Sequence, residues 1–467
     1  MLKMFSLDDI VKATHGILIN EKRSIRLKGI SINSRTLKRG DLFIAIQGQN
    51  FDGHDFIKDV IKKSAAAMVV SKKDVVGQVD IPVILVKDTL KALGDIALFH
   101  RLRFQIPVIA ITGSAGKTTT KDLVTAVLKR KYRVHKNVAN HNNLIGVPLT
   151  LFGLDRSHEI LVIELGTNFP GEIKRLAEIT RPTAAILTNI GESHLEFLKT
   201  SARVFKEKLQ IVNHMDDQGM VIFNNDDFYL SKIPGLKLKP KLISYGIKQT
   251  CDYKADRVGF AKNAYIHFRL NKKKIFTLKS SALHMVYNAL AAVSTARLLG
   301  IELSDVQKAF CRFSAMNNRY SLSKIGGYWI IDDSYNSNPV SLRSAIHSLN
   351  CLNSAGRKIF VCGDMLELGR SSDGLHHRMG RLIVDSDIDI LLTVGRHSRF
   401  TAQAAKKNKK LKVHHFTSTV SAQNSLAKYL QPNDTILVKG SRGVHLEKIV
   451  EFIRLHRRPR TSARGGR

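Results

Sequence analysis

The sequence predicts an α/β protein of three domains built on parallel sheets. Short apolar runs alternate with polar turns and helical periods along the whole chain, which is the pattern of βα units. The 467 residues also suffice for three domains at about 150 residues each. We place the domains at 1–98, 99–312 and 313–456, and we expect residues 457–467 to form a basic, disordered tail.

The first domain is expected to contain the strands within "GDLFIAIQG" and "AAAMVV" and to end in the helix "TLKALGDIALFHRLRF". The second opens with the strand "PVIAIT" and the helix "TTKDLVTAVLKRK". Its further strands lie in "EILVIELG", "TAAILTNIG" and "GMVIFNN", and it closes with the helix "SALHMVYNALAAVSTARLLG". This alternation predicts a central parallel sheet.

The third domain is expected to be Rossmann-like, with strands in "YWIIDDSYNSNP", "KIFVCGDMLELG", "IDILLTVG" and "TILVKGSRG". Each of these strands runs into Gly, Asn, Asp or Lys. Because α/β sheets bind ligands at the carboxyl ends of their strands, this domain is expected to contribute to the functional site.

Net charge and cysteine content limit the classes of function that the chain could have. The 74 Lys and Arg against 39 Asp and Glu give a net charge of +35, which raises the alternative of a basic P-loop protein acting on nucleic acid. The excess is spread over short clusters without interleaved aromatics, which favours a solvated basic surface instead. Four cysteines without paired spacing, no membrane-length apolar run and no signal-peptide pattern predict a cytoplasmic protein.

The stretch "TGSAGKTTT" between the first strand and helix of the second domain predicts a P-loop that binds nucleotide phosphates. Gly113, Ser114, Ala115 and Gly116 lie at the strand-to-helix turn, where free N–H groups and the helix dipole favour an anion. Lys117 adds positive charge, and Thr118, followed by Thr119, can reach a Mg²⁺ ion. These residues are the predicted ATP-phosphate site.

Two further residues are candidates for the same site. Glu164 ends the strand "EILVI", where a carboxylate could hold the ATP-bound Mg²⁺ if its strand neighbours the phosphate loop. In "SARVFKEKLQIV", Lys208 lies on an apolar helical face, while Lys206 and Glu207 are expected to point away. Burial depresses the pKa of a lysine, and a neutral amine can take up CO₂ to form an anionic, metal-binding carbamate. The alternative for Lys208 is a snorkelling side chain with a solvated head.

The motifs together resemble the Mur ligases of bacterial cell-wall synthesis. "TGSAGKTTTKDLV", "NHNNLIGVPLTL", "ELGTNFPGEI", "TNIGESHLEFL", "KEKLQI", "DDSYNSNPVSL", "GDMLELG" and "LVKGSRG" follow the order of that family. "DDSYNSNP" and "GDMLELG" resemble the branch that adds a dipeptide rather than a single amino acid. The resemblance implies ATP-dependent peptide ligation with UDP-N-acetylmuramoyl-tripeptide and D-alanyl-D-alanine as substrates, by a protein expected to be a monomer.

The resemblance also implies roles for individual residues. Ser34 and Arg35 would contact the UDP-sugar in an N-terminal UDP-sugar-binding domain, and Asn288, Arg319 and Asp333 would surround the adenosine of ATP. Thr118, Glu164, His194 and a carbamylated Lys208 would hold Mg²⁺, with Lys117, His194 and Lys208 as the catalytic residues. Asn318 stands where the family has glycine.

Asn336 and Asn338 are expected to bind the incoming dipeptide, because carboxamides can bond a zwitterion without adding charge. Two enzyme alternatives stay open: a sibling ligase that adds one amino acid, and a folylpolyglutamate-synthase-like ligase, which shares the ATP loop.

Overall fold

The computed structural model describes residues 5–20, 25–48, 50–74, 79–261, 265–314 and 318–455. The predicted basic tail, 457–467, lies outside these residues. The described residues form three main sheets of five, nine and six strands, and a two-stranded one near the N-terminus. An α/β fold with several parallel sheets is therefore confirmed.

The first main sheet has the order β2-β7-β6-β5-β4, in which only β2 is antiparallel to its neighbour. The helix that leads into the second sheet is N-capped by Asp88, whose carboxylate accepts from the N–H groups of Leu90 and Lys91. The elements are β1 Phe5–Ser6, α1 Leu7–Thr14, β2 Ile17–Ile19, β3 Arg26–Leu27, β4 Gly29–Ser31, β5 Asp41–Ile44, α2 Ile57–Lys62, β6 Ala67–Val70, β7 Val83–Leu85 and α3 Thr89–Arg101.

The second sheet has the order β16-β15-β14-β13-β12-β11-β8-β10-β9. Strands β9 to β14 and β8 pair in parallel, and β15 and β16 extend the edge in antiparallel fashion. The strands are β8 Val108–Thr112, β9 Val134–Lys136, β10 Ile160–Glu164, β11 Ala184–Leu187, β12 Met220–Asn224, β13 Lys241–Gly246, β14 Tyr253–Ala261, β15 Tyr265–Leu270 and β16 Lys274–Leu278. The helices are α4 Lys117–Leu128, α5 Gly146–Leu151, α6 Glu172–Thr180, α7 Leu195–Leu198, α8 Ser201–Leu209, α9 His284–Leu298 and α10 Leu303–Arg312.

The third sheet has the order β17-β18-β22-β19-β20-β21, parallel except for the edge strand β17. Its elements are β17 Ser321–Ile325, β18 Tyr328–Asp333, α11 Pro339–Asn350, β19 Lys358–Gly363, α12 Ser372–Val384, β20 Ile390–Val394, α13 Ser398–Ala405, β21 Lys412–Phe416, α14 Thr419–Tyr429, β22 Thr435–Lys439 and α15 Glu447–Leu455.

The second and third sheets share one continuous apolar core. It extends from Val108 on β8 to Phe360 on β19 and Leu437 on β22, whereas the first sheet buries a separate cluster around Leu42 and Ile84. Central strands such as β8 and β10 are buried along their whole length, which explains their unbroken runs of Val, Ile and Leu. None of the helices in the described ranges is long and apolar enough to cross a membrane.

Candidate active site

The predicted phosphate loop joins the end of β8 to the start of α4. Gly113 has φ +152° and Gly116 has φ +79°, conformations that favour glycine. A Cβ atom on Gly113 would lie 1.9 Å from Oγ1 of Thr188, and one on Gly116 would lie 2.9 Å from Oδ1 of Asn288. Both glycines are therefore required by backbone conformation and by close packing.

Hydrogen bonds to a neighbouring turn occupy two backbone N–H donors of the loop. The N–H groups of Ser114 and Ala115 donate to O and Oδ1 of Asn189 (2.9 and 2.8 Å). The sequence predicts that N–H groups of the loop are available for phosphate, but these two N–H groups are already bonded to Asn189. The first turn of α4 still offers an anion site, because its first intrahelical donor is Thr120, which bonds to the carbonyl of Gly116.

Lys117 opens α4 and folds back over the loop. Its Nζ donates to the carbonyl of Gly113 (2.8 Å). Burial lowers the pKa of the Lys117 ammonium, an effect that Glu164 opposes and Arg319 reinforces. Thr118 is buried, and its Oγ1 accepts a hydrogen bond from Nη2 of Arg319 (3.2 Å).

Glu164 is the buried carboxylate that the sequence analysis expected beside the loop. Its strand β10 pairs directly with β8, with Glu164 opposite Ile111. Oε1 accepts from Nδ2 of Asn142 (2.8 Å), whereas Oε2 has no hydrogen-bond partner among the described residues. A buried Lys121 ammonium lies 3.9 Å from Oε2 and donates to the carbonyl of Asn137. The free oxygen is a fitting ligand for a hard cation.

Lys208 is completely buried, and its Nζ has no hydrogen-bond partner within the described part of the chain. Burial lowers the pKa of Lys208 well below the usual value, and the nearby Lys117 lowers it further, while Glu207 and Glu164 oppose the shift. Lys208 therefore lies in the buried environment that its apolar helical face predicts. Its amino group does not reach solvent, as the snorkelling alternative would require.

The expected outward orientation of Glu207 is wrong. Its carboxylate is buried and accepts from the N–H groups of Gly171 and Ile173 (2.8 and 2.9 Å), at the start of α6. Helical periodicity places Glu207 off the apolar face, but unpaired donors at a helix N-terminus attract a carboxylate from a neighbouring helix.

His194 precedes α7 with φ +53°. Its Nδ1 lies 2.7 Å from Oε2 of Glu367, in a close contact that is not aligned as a hydrogen bond. Burial lowers the pKa of the His194 imidazole; Glu367 opposes this effect, and Lys208 and Lys117 add to it. His194 therefore shares one electrostatic environment with both predicted catalytic lysines.

The three residues expected around adenosine lie on α9, just before β17 and at the end of β18. Asn288 on α9 accepts from Oγ1 of Thr120 (3.2 Å). The Arg319 guanidinium lies over the ring of Tyr335, 3.7 Å from its centroid. Asp333 ends β18 and pairs with the buried Nζ of Lys439 (2.7 Å). Asn318, in the glycine place, has φ +64°, a conformation that asparagine tolerates.

The predicted substrate residues fall into two groups. Asn338 caps α11 and donates from Nδ2 to the carbonyl of Ser114 (3.0 Å), so its amide braces the phosphate loop. Oδ1 of Asn336 accepts from the N–H of Ser337. Ser34 and Arg35 lie in the first domain, where both carbonyls accept from Nζ of Lys63 (2.7 and 2.8 Å). The structure brings Asn338, but not Ser34 or Arg35, into contact with the loop.

Several charged residues at the site were missed by the sequence analysis. Glu367 lies within "GDMLELG", where a glutamate in the segment after a predicted strand is a signal for a loop carboxylate. Glu192 pairs with Arg343 on α11 (3.3 Å) and with Arg378 on α12, which links the second and third domains. No local periodicity reveals these long-range pairs.

The residues present fit a bound Mg²⁺. The described ranges contain no group of three His, Cys, Asp or Glu side chains arranged for a metal. The predicted set, however, also uses the Thr118 hydroxyl and a carbamate on Lys208. Oε2 of Glu164 and Nζ of Lys208, which have no hydrogen-bond partner among the described residues, are groups that such a centre would satisfy.

Comparison with known families gives three matches along the chain. Residues 26–101 match the Mur ligase family catalytic domain, residues 111–296 the Mur ligase middle domain, and residues 318–442 the Mur ligase glutamate ligase domain. UDP-N-acetylmuramoyl-tripeptide--D-alanyl-D-alanine ligase of Bacillus subtilis is 34% identical over 96% of this chain and 97% of its own length. The ligase of that name from Escherichia coli is 30% identical, over 92% and 94%.

Solved structures agree with these matches. A crystal structure of MurF from Acinetobacter baumannii superposes with a TM-score of 0.88 at 30% identity, covering 97% of this chain and 99% of that one. MurF ligase from Thermotoga maritima in complex with ADP gives 0.83 at 27% identity, covering 92% and 97%. Folylpolyglutamate synthase from Mycobacterium tuberculosis gives 0.61 at 14% identity, covering 78% and 94%, and shares the fold alone.

Proposed function

This chain belongs to the Mur ligase family, and from that premise we propose that it joins D-alanyl-D-alanine to UDP-N-acetylmuramoyl-tripeptide at the expense of ATP. The chain is an ATP-dependent peptide ligase. The product is UDP-N-acetylmuramoyl-pentapeptide, with ADP and phosphate released. Full-length similarity to ligases of that name supports the substrate assignment over a sibling that adds one amino acid.

The observation that carries the chemistry is the cluster of buried Glu164 and Lys208 with partly buried Lys117 and His194 beside the phosphate loop. A carboxylate is a poor electrophile, so an oxygen of the tripeptide carboxylate first attacks the γ-phosphorus of ATP and ADP leaves. Lys117 and the first-turn N–H groups of α4 offset the charge that develops on the transferred phosphoryl group.

The second step forms the amide bond. The neutral amine of the dipeptide attacks the acyl carbon of the acyl-phosphate, the C–O bond to phosphate breaks, and the amine loses a proton. The protein mainly positions the two reactants, because the acyl-phosphate is already activated. Asn336, at the end of β18, is proposed to contact the dipeptide, while Ser34 and Arg35 of the first domain are proposed to contact the UDP-sugar.

We propose that Thr118, Glu164, His194 and Lys208 hold Mg²⁺, which supplies charge stabilisation to the phosphoryl group. Lys208 takes part as a carbamate: its neutral amine bonds to the carbon of CO₂ and releases a proton. Its complete burial, its lowered pKa and its unpaired Nζ support this modification. Asn288, Arg319 and Asp333 are proposed to surround adenosine. We further propose a cytoplasmic monomer with the domain boundaries given above.

Oxygen labelling tests the proposed route. UDP-N-acetylmuramoyl-tripeptide carrying ¹⁸O in its terminal carboxylate is incubated with ATP and D-alanyl-D-alanine, and phosphate is examined by mass spectrometry. The acyl-phosphate route transfers one ¹⁸O atom to each phosphate released. Unlabelled phosphate accompanying labelled pentapeptide would contradict it.

A further inference from the structure

Glu367 connects the third domain to the predicted catalytic centre. It follows β19 in the loop "GDMLELG", and its Oε2 lies 2.7 Å from Nδ1 of His194 in the second domain. His194 is expected to bind metal through its imidazole, which has only two nitrogens. If Nδ1 faces Glu367, only Nε2 is available to the metal.

The backbone holds the Glu367 loop against α7. The N–H of Glu196 donates to the carbonyl of Glu367 (3.0 Å). Glu367 itself has φ +62°, and Gly369 has φ +55°, with its missing Cβ only 3.0 Å from Cα of Glu196. A non-glycine residue in this conformation is uncommon, and such strain persists where the surroundings fix it. The position of the carboxylate beside His194 is thus built into the docked loop.

We propose that Glu367 is a positioning residue that orients the His194 ring, with Nδ1 as the donor and Nε2 left unprotonated for the metal. This inference rests on the proposed function. Metal-binding histidines commonly donate their second N–H to a carboxylate, which fixes the tautomer. Hydrogen bonds at catalytic centres are often poorly aligned until substrates bind, which accounts for a close contact without full alignment.

The arrangement also makes the centre depend on domain docking. Glu367 can reach His194 only when the third domain lies against the second, as it does here. Glu192 provides a matched control, because its ion pairs with Arg343 and Arg378 link the same two domains, and among the described residues no hydrogen bond or ion pair joins its side chain to His194. Losing Glu192 weakens docking alone, whereas losing Glu367 also removes the partner of the His194 ring.

The test compares Glu367→Ala, Glu367→Gln and Glu192→Gln. Ring-¹⁵N-labelled protein is studied by NMR without nucleotide or metal, above the pKa range of histidine, and His194 is assigned by its absence in His194→Gln. We expect the Nδ1–H tautomer in wild type and in Glu192→Gln, and the Nε2–H tautomer to become populated in Glu367→Ala. An unchanged tautomer in Glu367→Ala would overturn the proposal.

Kinetics give the second readout. We expect Glu367→Ala to lower kcat by about 10- to 100-fold, the range typical for loss of such a partner. KM for D-alanyl-D-alanine should change less than about twofold, since Glu367 orients a metal ligand rather than the dipeptide. Glu367→Gln keeps an acceptor and should retain the tautomer with a smaller loss of kcat.

If Glu367→Ala does not fold, Glu367→Gln decides, and a kcat equal to that of wild type would contradict the proposal. Failure of wild type to make pentapeptide would instead refute the proposed function, while the tautomer measurement would still test the role of Glu367.

Discussion

Lys117 contacts the phosphate loop without filling the core, since its Nζ bonds only to the carbonyl of Gly113 among the described residues. We expect Lys117→Ala to abolish ligation while the protein stays folded, because it removes a phosphate-binding charge and little apolar contact. Ligation rate and thermal unfolding measured on the same preparation check this. Near-normal turnover would show that the loop is not the catalytic phosphate site.

A second prediction concerns Lys208. In ¹³C-bicarbonate the wild-type protein should show a carbamate carbon by NMR, and Lys208→Arg should show none and be inactive, because a guanidinium keeps its charge. Lys206→Arg, on the exposed side of the same helix, is the control and should retain both signal and activity. A Lys208→Arg variant that ligates normally would exclude the carbamate.

The environment of His284 predicts that the folding stability of the protein depends on pH. Burial lowers the pKa of its imidazole to about 4, with Asp333 opposing and Lys439 adding to the shift, and Nδ1 contacts Oγ of Ser344 (2.9 Å). The unfolded chain, with a histidine pKa near 6.5, binds more protons between these two values. Stability is therefore lost as pH falls from about 6.5 to 4.

We expect His284→Gln to remove part of that loss, about 1 to 3 kcal/mol at pH 4.5 relative to pH 7. Urea unfolding of both proteins at the two pH values measures the difference. Equal losses in wild type and variant would mean that His284 does not couple to folding.

A functional residue can be predicted from the sequence when its role is visible in the local pattern. Lys208 stands out because a cation interrupts an apolar helical face, and Gly113 because it follows a buried strand. Glu207, Glu192 and Glu367 could not be placed in this way, because each is fixed by a partner distant in the chain. Pairing of a charge with a distant partner is a property of tertiary packing rather than of local periodicity.

At the scale of elements, the strand-to-helix turn of the phosphate loop is the most constrained part of the site. A Cβ on Gly113 would clash with Thr188, whereas one on Gly171, also at positive φ (+87°), would meet nothing within 4 Å. We expect Gly113→Ala to lower the ligation rate by about 100-fold, since small displacements of reacting groups are costly.

Gly171→Ala carries comparable backbone strain without the clash and is the matched control. Steady-state ligation rates of both variants, with their melting temperatures, separate loop distortion from general destabilisation. Equal activity in the two variants would contradict the importance of the loop packing.

The buried strands of the second and third sheets were predictable because parallel strands covered on both faces are continuously apolar. The antiparallel edge formed by β15 and β16 was not predicted, although "IHFRL" alternates strictly between apolar and polar residues and β15 is buried at every second position, whereas "KIFTL" alternates less regularly. These edge strands lie away from the loop, so the site was easier to predict than the full sheet.

At the scale of the whole molecule, the second and third domains share a core and contribute together to one centre. Asn338 bonds to the loop, Arg319 to Thr118, and Glu367 contacts His194. The alternation of strands and helices predicts the three-domain α/β architecture, but not this docking, which depends on contacts between residues up to 224 positions apart. The proposed ligase chemistry requires it, because the dipeptide must reach the acyl-phosphate at the place where ATP forms it.

The identity of the acceptor tests the central claim most directly. D-alanyl-D-alanine, D-alanine, L-lysine and meso-diaminopimelate are offered in equal amounts with ATP and UDP-N-acetylmuramoyl-tripeptide, and in parallel with the dipeptide precursor of that tripeptide. Products are identified by mass. We expect UDP-N-acetylmuramoyl-pentapeptide as the main product, since single amino acids leave polar partners of the second residue unpaired at about 1 to 3 kcal/mol each. Preferred addition of a single amino acid to the shorter precursor would contradict the assignment.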